Sequence, residues 1–190
     1  YFNLDNGEPY YLVYYKNEII IDWSLLGVTL KDQIKLTEGL FVVKNKAHSN
    51  SSNDLLIVKG GLPLTDNFNE MTVFFEKKSL AKEPLAIVFR TYNDGIAICY
   101  SFPENESADK VFIISEETQF DLYGNDSVWR ISESIKTRGD SMDIPEPGII
   151  EKLDLPVNFI SAHGLMISIS ETEVSEYPEM KLRKRTSDRP

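Results

Sequence analysis

Histidine, cysteine and helical periodicity are all scarce in this chain, and each scarcity removes a class of function. One cysteine, Cys99, among 190 residues rules out an internal disulfide and any C-x-x-C metal site. Only His48 and His163 are present, with no H-E-x-x-H, so a histidine-rich zinc centre has no support. There is likewise no G-x-S-x-G nucleophile elbow and no phosphate-cradling G-x-x-x-x-G-K. No run approaches the roughly 18 apolar residues of a membrane span, and "YFNLDNGEPYY" lacks the charged and apolar regions of a signal peptide. Basic residues are outnumbered: 20 against 30 acidic, a formal charge of −10. That balance repels phosphate backbones and provides no counterion-release gain, which excludes nucleic acid as a default partner.

What is present is strand after strand. Hydrophobic residues make up 42% and charged residues 26%, the composition of an ordinary globular domain, and a β-rich chain of this length folds as one domain, residues 1–190. Period-two patterning recurs in "PYYLVYY", "EIIIDW", "LGVTL", "GLFVVKNK", "LLIVKGG", "NEMTVFFEKK", "KEPLAIVFRTY", "IAICYSF", "KVFIISEETQFDLYG", "SVWRIS", "LPVNFIS" and "GLMISIS". "HSNSSND", residues 48–54, reads as an exposed loop. Residues 132–156, with Pro145, Pro147 and Pro156, read as a long loop or meander. A hairpin is expected about Lys16 and Asn17, and another with a two-residue type I′ turn at Asp94 and Gly95. About a dozen short strands without a 20- to 50-residue repeat predict an all-β fold, a large antiparallel sandwich.

The second hairpin carries no chemistry of its own. Alternation puts Ile96, Ile98, Tyr100 and Phe102 on a core face and Ala97, Cys99 and Ser101 on the other. Cys99 within "GIAICYSF" reads as a buried, inert thiol. Arg90 shares a face with Ala86, Val88 and Tyr92; it suits an inter-sheet or interdomain ion pair, or else a contact to sugar. His48 in the Ser/Asn stretch and His163 beside Gly164 read as solvated turn residues. Trp23, Tyr123 and Trp129 have the shape for stacking on sugar rings and equally for packing.

Carboxylates concentrate in "SETEVSEYPE", where Glu171, Glu173, Glu176 and Glu179 follow an apolar strand. Such a cluster is a solvated acidic edge that guards against strand addition, or part of a hard-cation site that needs more oxygens from elsewhere.

Five segments in order, "GEPYYLVYYKNEII", "LGVTLKD", "FRTYNDGIAICYSFPE", "SEETQFDLYGNDSVW" and "HGLMISISETEVSEYPEMKL", resemble the N-terminal domain of glycoside hydrolase family 97 across most of the chain. The resemblance implies a β-super-sandwich similar to the galactose mutarotase fold, followed in the parent protein by a catalytic (β/α)₈ barrel that is absent from this chain. It implies an α-glucosidase or α-galactosidase acting on α-linked oligosaccharides, periplasmic or exported in a Gram-negative bacterium. The acid, base or nucleophile carboxylates would sit on that barrel, leaving this chain inactive alone. From the N-terminal domain the family contributes one glutamate to a catalytic calcium, in a pattern of glycine, four apolar or small residues, isoleucine, histidine and glutamate. Gly164 to Ile169 match, Ser170 stands where histidine is usual, and Glu171 takes the glutamate position.

Further departures are "VKGG" and "TDNFNE", where the family has tryptophan-glycine and arginine-asparagine-histidine patterns. The family domain starts with a strand before "YFNL" and runs on past "MKLRKRTSDRP", so the chain reads as cut at both ends. Its basic tail, Lys181, Arg183, Lys184, Arg185 and Arg189, then reads as an interrupted strand and linker that loses order after about Lys184. Two other functions stand beside this one. The first is a stand-alone carbohydrate-binding or interaction sandwich. The second is a mutarotase-like epimerase, which would need a histidine and a glutamate facing one cleft.

Overall fold

The computed structural model describes residues 1–56, 64–77, 80–102, 111–122, 127–130, 140–142, 152–160, 164–172 and 177–183. Among these the chain is built from antiparallel strands and one short 3₁₀ turn, Lys31–Gln33. It forms two compact units, Tyr1–Val13 with Asp22–Asp121, and Tyr14–Ile21 with Leu122–Pro190. No helix among the described residues is long and apolar enough to cross a membrane.

Tight hairpins join the first three strands. Strands β1 (Phe2–Asp5) and β2 (Glu8–Tyr15) pair with Asp5 opposite Glu8. The two residues between them, Asn6 and Gly7, both have positive φ, 50° and 85°. That is the backbone a type I′ turn demands, and Asn-Gly is the dipeptide that adopts it most cheaply. Strand β3 (Glu18–Leu25) follows after Lys16 and Asn17, again both at positive φ, 49° and 68°, as the sequence predicts. Strands β4 (Val28–Leu30) and β5 (Ile34–Lys35) form a small sheet, and β6 (Leu40–Leu56), β7 (Leu64–Lys77), β8 (Leu80–Thr91) and β9 (Ile96–Ser101) form a four-stranded meander in that order. Strand β10 (Ile113–Glu116) pairs with β4, and β11 (Asp121–Leu122) closes the sheet β1-β2-β3-β11.

Two of these sheets face one another across an apolar layer. Phe2 on β1 packs its ring 5.8 Å from Phe75 and 5.6 Å from Phe89. Alternation along β7 sends Val73 and Phe75 into this layer, and Leu85 and Ile87 on β8 join them fully buried. Tyr11 is also buried, donating its hydroxyl hydrogen to the Gln119 carbonyl at 2.7 Å. Burial, and after it the Tyr100 phenol nearby, push the Tyr11 hydroxyl far above its ordinary value of 10, with a Ser24 hydrogen bond opposing them in part. Because the folded value is the higher one, its contribution is complete below about pH 10 and is lost as pH rises further. The unfolding free energy from urea titration is therefore expected to fall above that pH, by up to about 1.4 kcal/mol per pH unit from this group. Tyr11→Phe is expected to flatten the slope while costing about 1 kcal/mol at neutral pH for the lost hydrogen bond.

Two segments fold differently from the sequence expectation. "HSNSSND" is not a loop: it lies within β6, with His48 opposite Glu70, Ser49 opposite Asn69 and Ser51 opposite Asn67, and a register irregularity between Ser51 and Leu55. Backbone ladder bonds to β7 override the weak strand preference of Ser and Asn, and the irregularity takes up the surplus residues. The β8–β9 turn is centred on Asn93 and Asp94 rather than Asp94 and Gly95. Thr91 pairs with Ile96, Tyr92 N–H donates to the Gly95 carbonyl at 2.8 Å, and neither Asp94 nor Gly95 has positive φ. That register sets Tyr100 opposite Ile87, where the Tyr100 hydroxyl accepts the Gly27 N–H at 2.8 Å and meets Thr118 Oγ1 at 2.8 Å.

In the second unit β12 (Ser127–Arg130), β13 (Asp140–Met142), β15 (Val157–Ile160) and β16 (Met166–Ile169) form a sheet in the order β13-β12-β15-β16, while β14 (Lys152–Asp154) pairs with β17 (Lys181–Arg183). Val157 sits opposite Ile169, and both are buried with Phe159. Strands β13 and β14 occupy part of the stretch read as a meander, whose remaining residues up to Glu151 lie outside the described residues. The segment from Lys184 onward does so as well.

Candidate functional site

Two places bring together residues that chemistry could use. The first is the end of β16. Gly164, at φ +78°, leads into the strand, Ile169 is buried and Ser170 exposed. Glu171 stands half-buried two residues beyond the strand end. Its Oε2 accepts the Met180 backbone N–H at 2.9 Å, which ties the start of the 171–180 segment to its finish and fixes the carboxylate. Glu179 is exposed, and Glu173 and Glu176 lie outside the described residues. Among the described residues no three His, Cys, Asp or Glu side chains gather closely enough to hold a metal ion. Calcium needs about six to eight oxygens, so the described residues fit one carboxylate ligand and not a whole site.

The second place is the outer face of the β6–β9 meander. His48, Glu70 and Arg90 occupy directly opposed positions on β6, β7 and β8. Arg90 Nε donates to Glu70 Oε2 at 2.6 Å, and His48 Nδ1 lies 3.7 Å from Glu70 Oε1. The Arg90 guanidinium rests 4.4 Å from the centroid of the Phe68 ring, which meets the Tyr92 ring at 5.9 Å. Glu70, and more weakly Tyr92, hold Arg90 still further toward its charged form. The expected inter-sheet or interdomain ion pair of Arg90 is thus a cross-strand pair within one sheet. A neighbouring strand offers a partner at about 5 Å between Cβ atoms, closer than any facing sheet.

Other candidates fall differently from expectation. Cys99 is exposed rather than buried, because it points to this same outer face while Ile98 and Tyr100 point inward with Ile87 and Phe89. His48 lies in a strand rather than a turn and sits beside Glu70 on a neighbouring strand of one sheet, not across a cleft as an epimerase acid-base pair would. Trp23 is 45% exposed. His163, Tyr123 and the Trp129 side chain lie outside the described residues.

Compared with known families, the chain matches the glycosyl-hydrolase 97 N-terminal domain over residues 1–190. The chain belongs to this family. Its fold is that of glycoside hydrolase family 97 enzymes: one from Pseudoalteromonas sp. strain K8, solved in complexes with panose and with acarbose, superposes with a TM-score of 0.83 at 20% identity, covering 98% of this chain. A β-arabinopyranosidase superposes with a TM-score of 0.74 at 18% identity over 92% of this chain. The family 97 domain described here spans 28% and 30% of the lengths of those chains. The all-β, super-sandwich reading of the sequence agrees with these neighbours, and so does the family assignment. The Arg90 cluster was legible only in part: Arg90 and His48 stand out as residues, but their convergence on Glu70 depends on two strand registers that no local signal fixes.

Proposed function

We propose that this domain serves a family 97 enzyme that hydrolyses α-glucosides or α-galactosides, packing on a catalytic barrel of the same chain and delivering Glu171 as one ligand of an active-site calcium. The parent enzyme would be periplasmic or exported, and residues 1–190 would act as a single N-terminal domain without turnover of their own. The observation that supports the reading is the fixed, half-buried Glu171 carboxylate just past the end of β16, with one oxygen bound by the Met180 amide. A hard oxygen donor already held in place needs little reorganisation to meet a divalent ion, and a ligand from a second domain would couple domain packing to the site. When bound, the ion would stabilise negative charge and orient substrate.

Glu171→Gln in the complete parent enzyme is the test. The glutamine carbonyl still accepts the Met180 N–H, so the local fold stays while the charge is lost. Activity on maltose-type and melibiose-type substrates is expected to depend on calcium and to fall roughly a hundredfold or more in the variant, the scale of losing several kcal/mol of metal-borne stabilisation. Turnover indifferent to calcium and to the substitution would sink the assignment. A second reading, a carbohydrate-binding module, draws on the exposed Trp23 and is read out by sugar binding to the 190-residue chain.

A further inference from the structure

The outer face of the β6–β9 meander goes beyond a scaffold. Its central guanidinium is held from two sides, by the Glu70 carboxylate at 2.6 Å and by the Phe68 ring at 4.4 Å. An arginine on a sheet surface ordinarily loses rotamer freedom only when a ligand arrives; here folding has already immobilised it. Yet the side chain remains 43% exposed, and its five N–H donors exceed what the Glu70 carboxylate accepts. Across the ladder, Arg90 faces Ala97, with Cys99 the next residue on that side of β9, and both are small and exposed. The sheet beside the guanidinium is therefore open to close approach.

Charge selects the occupant. Arg90 and Glu70 cancel, so the cluster offers donors and acceptors side by side without net charge. An anion would meet the Glu70 carboxylate and a chain of formal charge −10. Vicinal hydroxyls, each donating and accepting at once, match a guanidinium beside a carboxylate, and Tyr92 adds an aromatic flank. We propose that the face around Arg90, with Glu70, His48, Tyr92 and Ala97, binds a neutral polyhydroxylated ligand, an oligosaccharide. The α-glycoside reading enters only in the choice of probes. The readout is binding to this chain, so it fails or succeeds separately from calcium-dependent turnover.

Titration of the 190-residue chain with maltotriose and with raffinose, followed by amide chemical shifts, tests the site, with inorganic phosphate as the anionic control. Shifts confined to the neighbourhoods of His48, Glu70, Arg90 and Ala97, with no response to phosphate, are expected. Arg90→Lys keeps the charge but not the fork, and is expected to weaken binding about tenfold. Ala97→Ile, which fills the open floor opposite Arg90 at an exposed position while leaving both charges in place, is expected to weaken it comparably with an unchanged unfolding midpoint. No shifts with either sugar would overturn the proposal. So would shifts elsewhere, phosphate producing the same shifts, or both variants binding as the parent does.

Discussion

Replacing Gly27 by alanine is expected to destabilise the first unit by about 2–6 kcal/mol, the sum of about 1–3 kcal/mol of backbone strain and about 1–3 kcal/mol of overpacking. Gly27 joins β3 to β4 at φ +145°, a conformation that side chains rarely adopt. A Cβ there would stand 2.6 Å from the Leu36 carbonyl oxygen and 2.6 Å from Thr37 Cγ2. The Leu36 segment has little room to yield, since its own N–H donates to the Val28 carbonyl at 2.8 Å. Gly27 also anchors two long-range bonds, its N–H to the Tyr100 hydroxyl and its carbonyl from the Glu117 N–H, both at 2.8 Å. Shifting it therefore disturbs the contacts of β9 with the 116–118 segment as well. Gly95→Ala is the matched control: it has open space around its Cβ position and no positive φ, so its effect is expected within about 0.5 kcal/mol. Urea unfolding of both variants beside the parent gives the comparison, and equal midpoints for Gly27→Ala and parent would refute the close-packing account.

Where local chemistry decides, the sequence is easily read. Positive φ at Lys16 and Asn17 and the buried alternation of Val73 and Phe75 follow from turn preference and period-two patterning. The Asn6-Gly7 turn, with both residues at positive φ, carries the same kind of local signal, since Asn-Gly is the strongest short-range hairpin mark. Where a distant partner decides, reading fails. The Asp94-Gly95 dipeptide has the right chemistry for a type I′ turn, yet the register is set by Tyr100 reaching Gly27, 73 positions away. Seven polar residues became strand because β7 supplied a ladder. Hydrophobicity alone places Cys99 in the core, but the alternation that turns Ile98 and Tyr100 inward turns it outward. The bond of the Glu171 carboxylate to the Met180 amide is not legible either, since nothing in "ETEVSEYPEM" fixes how that segment closes.

Phe75→Ala is expected to cost about 3–5 kcal/mol, a large share of the roughly 5–15 kcal/mol that holds a domain of ordinary stability together. Phe75 is 1% exposed, on a central strand of the meander opposite Val42 and Leu85, and its ring meets Phe2 edge-on at 62°. Truncation loses the transfer energy of the ring, the edge-to-face term with Phe2 and the packing of a layer hemmed in by two sheets, which limits how far the cavity collapses. Phe75→Leu is expected to recover more than half of the loss, because it restores most of the volume while leaving Phe2 without its aromatic partner. Val43→Ala provides the contrast: Val43 is 53% exposed at the register irregularity of β6 and should change stability by no more than about 0.5 kcal/mol. The outcome bears on function as well as folding. Val73, Phe75 and Phe89 face inward from the strands whose outward positions carry Glu70 and Arg90, so a collapsed core would carry the ion pair with it. A Phe75→Ala chain that stays folded but loses the resolved amide signals of Glu70 and Arg90 would mark the apolar layer as what holds that face in register.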